Sequence, residues 1–364
     1  MSEKLKLKGK KIIFRYRGVK FNFAAKKRGV KAMWKQHLGF STAVVAVLAL
    51  LAYTAGPGMT LFFGVLIPYA ALLVFLIGVA FKLFGWVKSP VPFRIPTTCG
   101  QGKSLPWIKH SKIDNPSDTK GVIARMMLEI LLFRSLFRNT KNEVREGRLV
   151  FNLEIWLWLF ALIFHYSFLA VLVRHLRFFL EPVPAAIKFL ETIDGLLQIG
   201  LPVVLLSGFM LLVGVFFLFI RRLVIPQVRY VSLAADYFPL LVIGVIAFTG
   251  IWMRYFGKMD ITAVKEFTMG LATFHPASLP ETVGGVFYVH IFFVSVLFMY
   301  FPFSKLMHSG GIFLSPTRNL ANNNRAKRHV NPWNPALEFV TYEDYENEFR
   351  DKMIEAGLPV EKKE

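Results

Sequence analysis

Residues 155–175 read IWLWLFALIFHYSFLAVLVRH. No Asp, Glu, Lys or Arg interrupts the run from Ile155 to Val173, yet histidines stand at 165 and 175. A helix needs about 20 apolar residues to cross the hydrocarbon core of a bilayer, and Glu154 and Arg174 mark the two ends of this one. Working outward, five more segments have the same character. Spans are expected near 38–55, 60–86 (with Lys82 near its end), 153–174, 198–220, 237–253 and 283–304. Composition agrees: 54% of the 364 residues are hydrophobic and 18% charged, against about a quarter charged in a soluble domain. A soluble fold would expose large apolar patches, and a disordered chain would lack the 37 phenylalanines. The expected fold class is an all-α integral membrane protein with six transmembrane helices.

The net charge of +21 comes from 44 Lys and Arg against 23 Asp and Glu, and the basic residues are unevenly placed. Segment 1–37 holds 13, loop 87–152 holds 12, loop 221–236 holds 3 and the tail from 305 holds 9. Loops 174–197 and 254–284 hold 3 each, and the turn at 56–59 holds none. With both termini inside, 37 basic residues face the cytoplasm and 6 face out, as the positive-inside rule requires. The charge therefore reads as membrane topology rather than as a nucleic-acid footprint. The basic 37-residue leader also argues against a cleavable signal peptide.

This divides the chain into a basic cytoplasmic segment (1–37), a transmembrane hairpin (38–86) turning at Ala55-Gly56-Pro57-Gly58, a cytoplasmic insert (87–152), a core of four spans (153–308) and a cytoplasmic tail (309–364). The insert is too long for a mere connector. It opens with the extended strip Ser89-Pro90-Val91-Pro92-Phe93-Arg94-Ile95-Pro96, passes Cys99, and is expected to form a helix over 120–139 after Asn115-Pro116-Ser117-Asp118. Docking between the membrane and a protein partner fits it better than a purely membrane-surface role, because Arg125 and Arg134 fall on roughly opposite faces. Cys99 is the chain's one cysteine. It excludes an internal disulfide, a CxxCH haem attachment and a four-cysteine iron–sulfur cluster made by this chain alone, and reads as an interface residue.

Eight histidines occur. His37, His110 and His329 lie in basic segments and read as solvated; His165, His175, His275, His290 and His308 lie in or beside spans, where ionisable groups are functional by default. His165 and His175 are ten residues apart, about 15 Å along a helix. His290 and His308 are eighteen apart, five full turns at 100° per residue, which puts them on one face. Antiparallel packing then sets His165 opposite His308 and His175 opposite His290. Two stacked bis-histidine sites are what two b-type haems require, although the spacing alone leaves open histidines that merely bond neighbouring helices or relay protons.

Three motifs sharpen this reading: Arg221-Arg222-Leu223-Val224-Ile225-Pro226-Gln227-Val228-Arg229 with Ala235-Asp236 after it, Phe274-His275, and Phe301-Pro302-Phe303-Ser304-Lys305-Leu306-Met307-His308. Over about residues 150–310 they resemble the gamma subunit of respiratory nitrate reductase (NarI-like), a dihaem cytochrome b. The extra N-terminal hairpin and the insert, above all from Pro90 to Thr140, resemble the variant of sulfur-metabolising organisms, the DsrM-type subunit of the DsrMKJOP sulfate/sulfite-reduction complex. The resemblance implies two haem b groups, one on His165 and His308 and one on His175 and His290. It also implies a menaquinone site beside the outer pair. On the cytoplasmic side it implies an iron–sulfur, heterodisulfide-reductase-like partner (DsrK type), with further DsrJ-, DsrO- and DsrP-type subunits. Arg174 and Arg177 become possible partners of haem propionates, and their plain alternative is interfacial snorkelling. Lys188, Glu191, Asp194 and His275 are candidates for the quinone site. No nucleophile–base set, nucleotide loop or metal-hydrolase motif is present, so the expected role is an electron-transfer subunit of the cell membrane. The rival class is a haem-free membrane anchor or proton-relaying transporter.

Overall fold

The computed structural model describes residues 6–8, 11–16, 19–23, 27–89, 111–145, 148–195, 203–276, 283–322 and 339–361. Strands β1 (Lys6–Lys8), β2 (Lys11–Tyr16) and β3 (Val19–Phe23) form an antiparallel sheet, and α1 (Lys27–Ala55) follows. A π-helical turn (Leu61–Leu66) leads into α2 (Ile67–Lys88). Then come α3 (Thr119–Leu132), α4 (Arg134–Phe137) and the hairpin β4 (Thr140–Arg145) with β5 (Arg148–Leu153). The core comprises α5 (Ile155–His175), α6 (Ala185–Asp194), α7 (Leu206–Val224), α8 (Pro226–Val231), α9 (Ala234–Tyr255), α10 (Ile261–Ala272) and α11 (Gly285–Tyr300). Helices α12 (His308–Leu314), α13 (Pro316–Asn319) and α14 (Tyr342–Glu355) complete the described chain.

Six helices are long and apolar enough to cross a membrane: Met33–Ala55, Leu61–Lys88, Ile155–Phe178, Leu206–Val224, Ala234–Tyr255 and Gly285–Phe303. Their outward faces carry large exposed apolar side chains, among them Leu73, Phe81, Leu169, Phe216 and Phe248, a distribution that water would penalise and lipid tails accept. Phe63, Leu211, Val242, Phe287 and Phe293 pack in the interior of the bundle. At the turn after α1, a Cβ on Gly56 would lie 2.4 Å from both the Ala52 carbonyl oxygen and the Tyr288 Cβ, so only glycine lets the hairpin close against α11.

Polar contacts tie the helix ends. At one end Arg221 donates to Glu154 at 3.0 Å, the Lys305 ammonium pairs with Asp236 at 2.7 Å, and the Ser41 hydroxyl donates to the Ala234 carbonyl at 3.1 Å. These fix α5 antiparallel to α7 and join the middle of α1 to the start of α9. The chain clusters into two compact units, Met1–Lys82 with Ile123–Phe313, and Leu83–Val122 with Leu314–Glu364. Within the second, the Asn322 backbone N–H donates to the Pro116 carbonyl at 2.6 Å, its side-chain amide donates to buried Asn115, and Thr341 caps α14.

Three sequence expectations are revised. The fourth span begins at Leu206, later than 198, and runs to Val224; residues 196–202 lie outside the described set. The helix expected over 120–139 stops at Leu132, because Phe133 adopts a left-handed conformation (φ 49°) that no helix accommodates. The hairpin Thr140–Leu153, with Thr140 opposite Leu153, was not anticipated. The proline strip from Pro90, Cys99, His110 and His329 fall outside the described residues.

Candidate functional site

Each of the four span histidines is held from behind through Nδ1. His165 donates to the Ala161 carbonyl one turn back at 2.7 Å, and His175, the last residue of α5, donates to the Val171 carbonyl at 2.7 Å. His308 donates to the Lys305 carbonyl at 2.8 Å. His290, in the middle of α11, meets the Thr249 hydroxyl at 2.9 Å. A carbonyl oxygen only accepts, so in three of the four the proton sits on Nδ1 and Nε2 carries the lone pair that a metal would use.

The rings face one another in two pairs. His165 and His308 have ring centres 5.9 Å apart with planes at 88°, and His175 and His290 have centres 6.3 Å apart with planes at 13°. His308 reaches its place in an unexpected way. Helix α11 ends at Tyr300 as Pro302 enters the chain, and two 3₁₀ turns (Phe301–Phe303 and Lys305–Met307) carry it onward. Counting five α-helical turns from His290 therefore does not describe the path, since 3₁₀ turns advance faster. The ring nevertheless comes to His165, and the roughly 80° divergence of His165 and His175 around α5 is met by partners on two different elements.

Haem suits this geometry. Two metal–imidazole bonds of about 2.0–2.1 Å, plus the distance from each nitrogen to its ring centre, account for separations near those observed. Among the described residues no group of three or more His, Cys, Asp or Glu side chains forms a ligand set for a bare ion. Two imidazoles fit a centre whose other ligands come from a macrocycle. Edge-on rings of Phe133 and Phe164, both 4.9 Å from His165, wall the first pair.

At the opposite end of the bundle a polar cluster surrounds His175. Arg174 pairs with Asp194 and donates to the Ser207 hydroxyl at 2.7 Å; Asp194 also accepts from the Ser207 backbone N–H at 2.7 Å and its hydroxyl at 2.6 Å. Arg174 and Asp194 side chains are only 12% and 7% exposed. Arg177 pairs with Glu191 at 2.8 Å. Arg254 donates to the Val203 carbonyl at 3.3 Å. The buried Nε atoms of Arg174 and Arg254 find no partner within the described protein, a donor pair suited to carboxylates of a bound group. Lys188 and His275 are exposed, the latter donating through Nδ1 to the Thr273 carbonyl at 2.8 Å. Of the proposed quinone-site residues, Asp194 and Glu191 thus hold arginines, while Lys188 and His275 present free polar edges to the surface. Nearby, Lys265 of α10 pairs with Glu181, and this ammonium holds the Glu181 carboxyl below the usual carboxylate range.

Sequence reading missed Thr249, Arg254 and Phe133. Arg254 sits where a span ends, a signal that could have found it. Thr249 and Phe133 carry none, because their partners are distant in the chain.

Residues 149–328 match the family model described as nitrate reductase gamma subunit. Over 280 residues the chain is 46% identical to a protein of Archaeoglobus fulgidus called Hdr-like menaquinol oxidoreductase cytochrome b-like subunit, covering 75% of this chain and 84% of the relative. A protein of the same description from Archaeoglobus profundus is 41% identical over 279 residues, covering 75% of this chain and 82% of the relative.

Proposed function

The chain belongs to the family of Hdr-like menaquinol oxidoreductase cytochrome b-like subunits and carries a nitrate reductase gamma subunit domain, and from that premise we propose that it is a dihaem cytochrome b exchanging electrons between menaquinone and an iron–sulfur partner. The observation that carries this reading is the pair of facing imidazoles at two depths of one bundle, all four tied back through Nδ1. His165 and His308 hold one haem b, and His175 and His290 the other. A haem held by two imidazoles would carry single electrons rather than bind oxygen.

The remaining work belongs to the protein. Arg174 and Arg254, with Arg177 at the rim, neutralise carboxylates at the His175 end, and Asp194 with Ser207 orients Arg174. Menaquinone docks at that same end, where Lys188 and His275 offer polar groups and Glu191 and Asp194 lie behind them. Oxidising a quinol there releases two electrons into the bundle and two protons to the adjacent face. The insert 87–152 receives a heterodisulfide-reductase-like (DsrK-type) partner, in an assembly of the DsrM-type class that serves dissimilatory sulfur metabolism. The basic-residue distribution places that insert in the cytoplasm.

Reduced-minus-oxidised spectra of the purified chain test the proposal. Two b-type components are expected. His175→Ala and His290→Ala should remove the same one, and His165→Ala and His308→Ala the other. Absence of any b-type signal leaves a haem-free anchor or proton relay. If His165 and His290 variants lose a common component, the assignment of ligands fails.

A further inference from the structure

One of the four histidines differs from the rest in its backing. His165, His175 and His308 each donate to a backbone carbonyl of their own segment three or four residues back. His290 instead meets a side chain on another helix, the hydroxyl of Thr249 on α9 at 2.9 Å. Thr249 is buried and its Oγ1 lies 2.7 Å from the Val245 carbonyl and 3.1 Å from that of Ile246. A hydroxyl has one proton and two lone pairs. The nearer carbonyl can only accept, so the hydroxyl proton goes to Val245 and the oxygen accepts from His290 Nδ1–H. The Ile246 carbonyl, at 3.1 Å, is a second main-chain acceptor for that hydroxyl proton. The chain of bonds runs from His290 through Thr249 to Val245. It leaves the Nε2 lone pair free, on a ring whose centre stands 6.3 Å from that of His175. Gly250 beside it keeps this approach open, since a Cβ there would lie 3.3 Å from His290 Cε1.

We propose that Thr249 is a positioning residue for the His175–His290 centre, fixing the tautomer of His290 and setting, through one replaceable hydroxyl, how electron-rich that ligand is. The inference rests on the dihaem reading. A hydrogen-bond acceptor on the far nitrogen raises ligand basicity and is one of the protein's levers on haem potential. Removing the hydroxyl makes His290 a poorer donor and favours the reduced state. The other pair, backed by main-chain carbonyls, has no side chain to remove.

The test is a redox titration of full-length Thr249→Val and Thr249→Ser in detergent, with optical spectra of both b-type components. Valine keeps the shape and loses the hydroxyl; serine keeps the hydroxyl. At a fixed ambient potential, the component that His175→Ala abolishes should show its oxidised-to-reduced ratio falling by about threefold or more in the valine variant. Serine should restore the wild-type ratio, and the His165–His308 component should stay unmoved in both. Complete loss of the first component in the valine variant with retention in the serine variant also supports the proposal. An unchanged titration in the valine variant overturns it, as do equal shifts in both variants or in both components. A wild-type protein without b-type haem would instead sink the reading beneath it.

Discussion

Asp194 shows how much rests on single side chains at the His175 end. It accepts from Arg174 and twice from Ser207 inside a nearly closed environment. Removing one member of a buried pair leaves the other charge without compensation, at a cost of about 3–5 kcal/mol. Asp194→Ala should therefore lower the thermal midpoint of the detergent-purified protein sharply, and Asp194→Asn less, because the amide oxygen can still accept from Ser207. Lys188 is the opposite case. It is exposed on α6, so Lys188→Ala should leave stability and both b-type spectra intact while slowing reduction by a menaquinol analogue. Unchanged quinol-driven reduction in stopped flow would clear Lys188 and make His275 the next candidate.

At the scale of the element, the bend between α3 and α4 carries backbone strain. Phe133 stands at φ 49°, a conformation costly for a bulky side chain. It is held there from both sides. The Trp158 indole N–H donates to the Leu132 carbonyl at 2.7 Å and the Tyr166 hydroxyl to the Leu131 carbonyl at 2.8 Å, satisfying acceptors that the end of α3 would otherwise leave open. Glu129 accepts from the Ser135 hydroxyl and, at 3.1 Å, its backbone N–H. Trp158 and Tyr166 lie two turns apart on α5 and bracket His165, so the end of α3 is latched to the segment that carries that histidine. Each such bond contributes about 0.5–1.5 kcal/mol. Trp158→Phe with Tyr166→Phe should raise hydrogen exchange across 123–137 without unfolding the bundle; unchanged protection there would show that the latch carries no stability.

Helix α10 buries Phe267 in the core and is tied at its polar edges by Lys265 to Glu181, by the Tyr69 hydroxyl donating to the Leu271 carbonyl at 2.9 Å and by the Thr268 hydroxyl donating to the Phe178 carbonyl at 2.6 Å. Because the Glu181 carboxyl is held below its usual range, its contribution is present above the unfolded pKa of about 4.3 and is lost as pH falls through the folded value. Glu181→Gln should thus speed exchange in 261–272 slightly at neutral pH, with the difference from wild type vanishing on acidification. A difference that persisted in acid would contradict this account.

At the scale of the whole molecule the two ends of the bundle differ in kind. One carries α4, the β4–β5 hairpin and the His165–His308 pair, and the other carries the arginine cluster and the His175–His290 pair. Cys99 supplies a native probe of which end faces the cytoplasm. It lies outside the described residues, in the insert assigned inside by the basic-residue count. In intact cells an impermeant maleimide should leave it unlabelled, and in inverted vesicles it should react unless a partner subunit covers it. Labelling from outside intact cells would reverse the orientation, and with it the face to which quinol protons are released.

Six spans were legible in the sequence because lipid imposes a one-dimensional rule: about 20 apolar residues, with charge pushed to the ends. The boundaries drifted where that rule is silent. Hydropathy alone did not distinguish 203–205 from the helix beginning at Leu206. The pairing of His165 with His308 and of His175 with His290 was legible too, because the two histidine-bearing stretches run antiparallel across the same span of membrane. The path of His308 was not. Its approach to His165 depends on 3₁₀ turns after Pro302, and small changes of helical pitch are invisible to a count of residues. Thr249 against His290, Phe133 against His165 and Arg254 beside the Arg174 cluster were decided only by tertiary packing. Each contact joins residues 32 or more positions apart in the chain or a backbone angle forced by its neighbours, and local sequence carries no record of what a folded neighbour will supply.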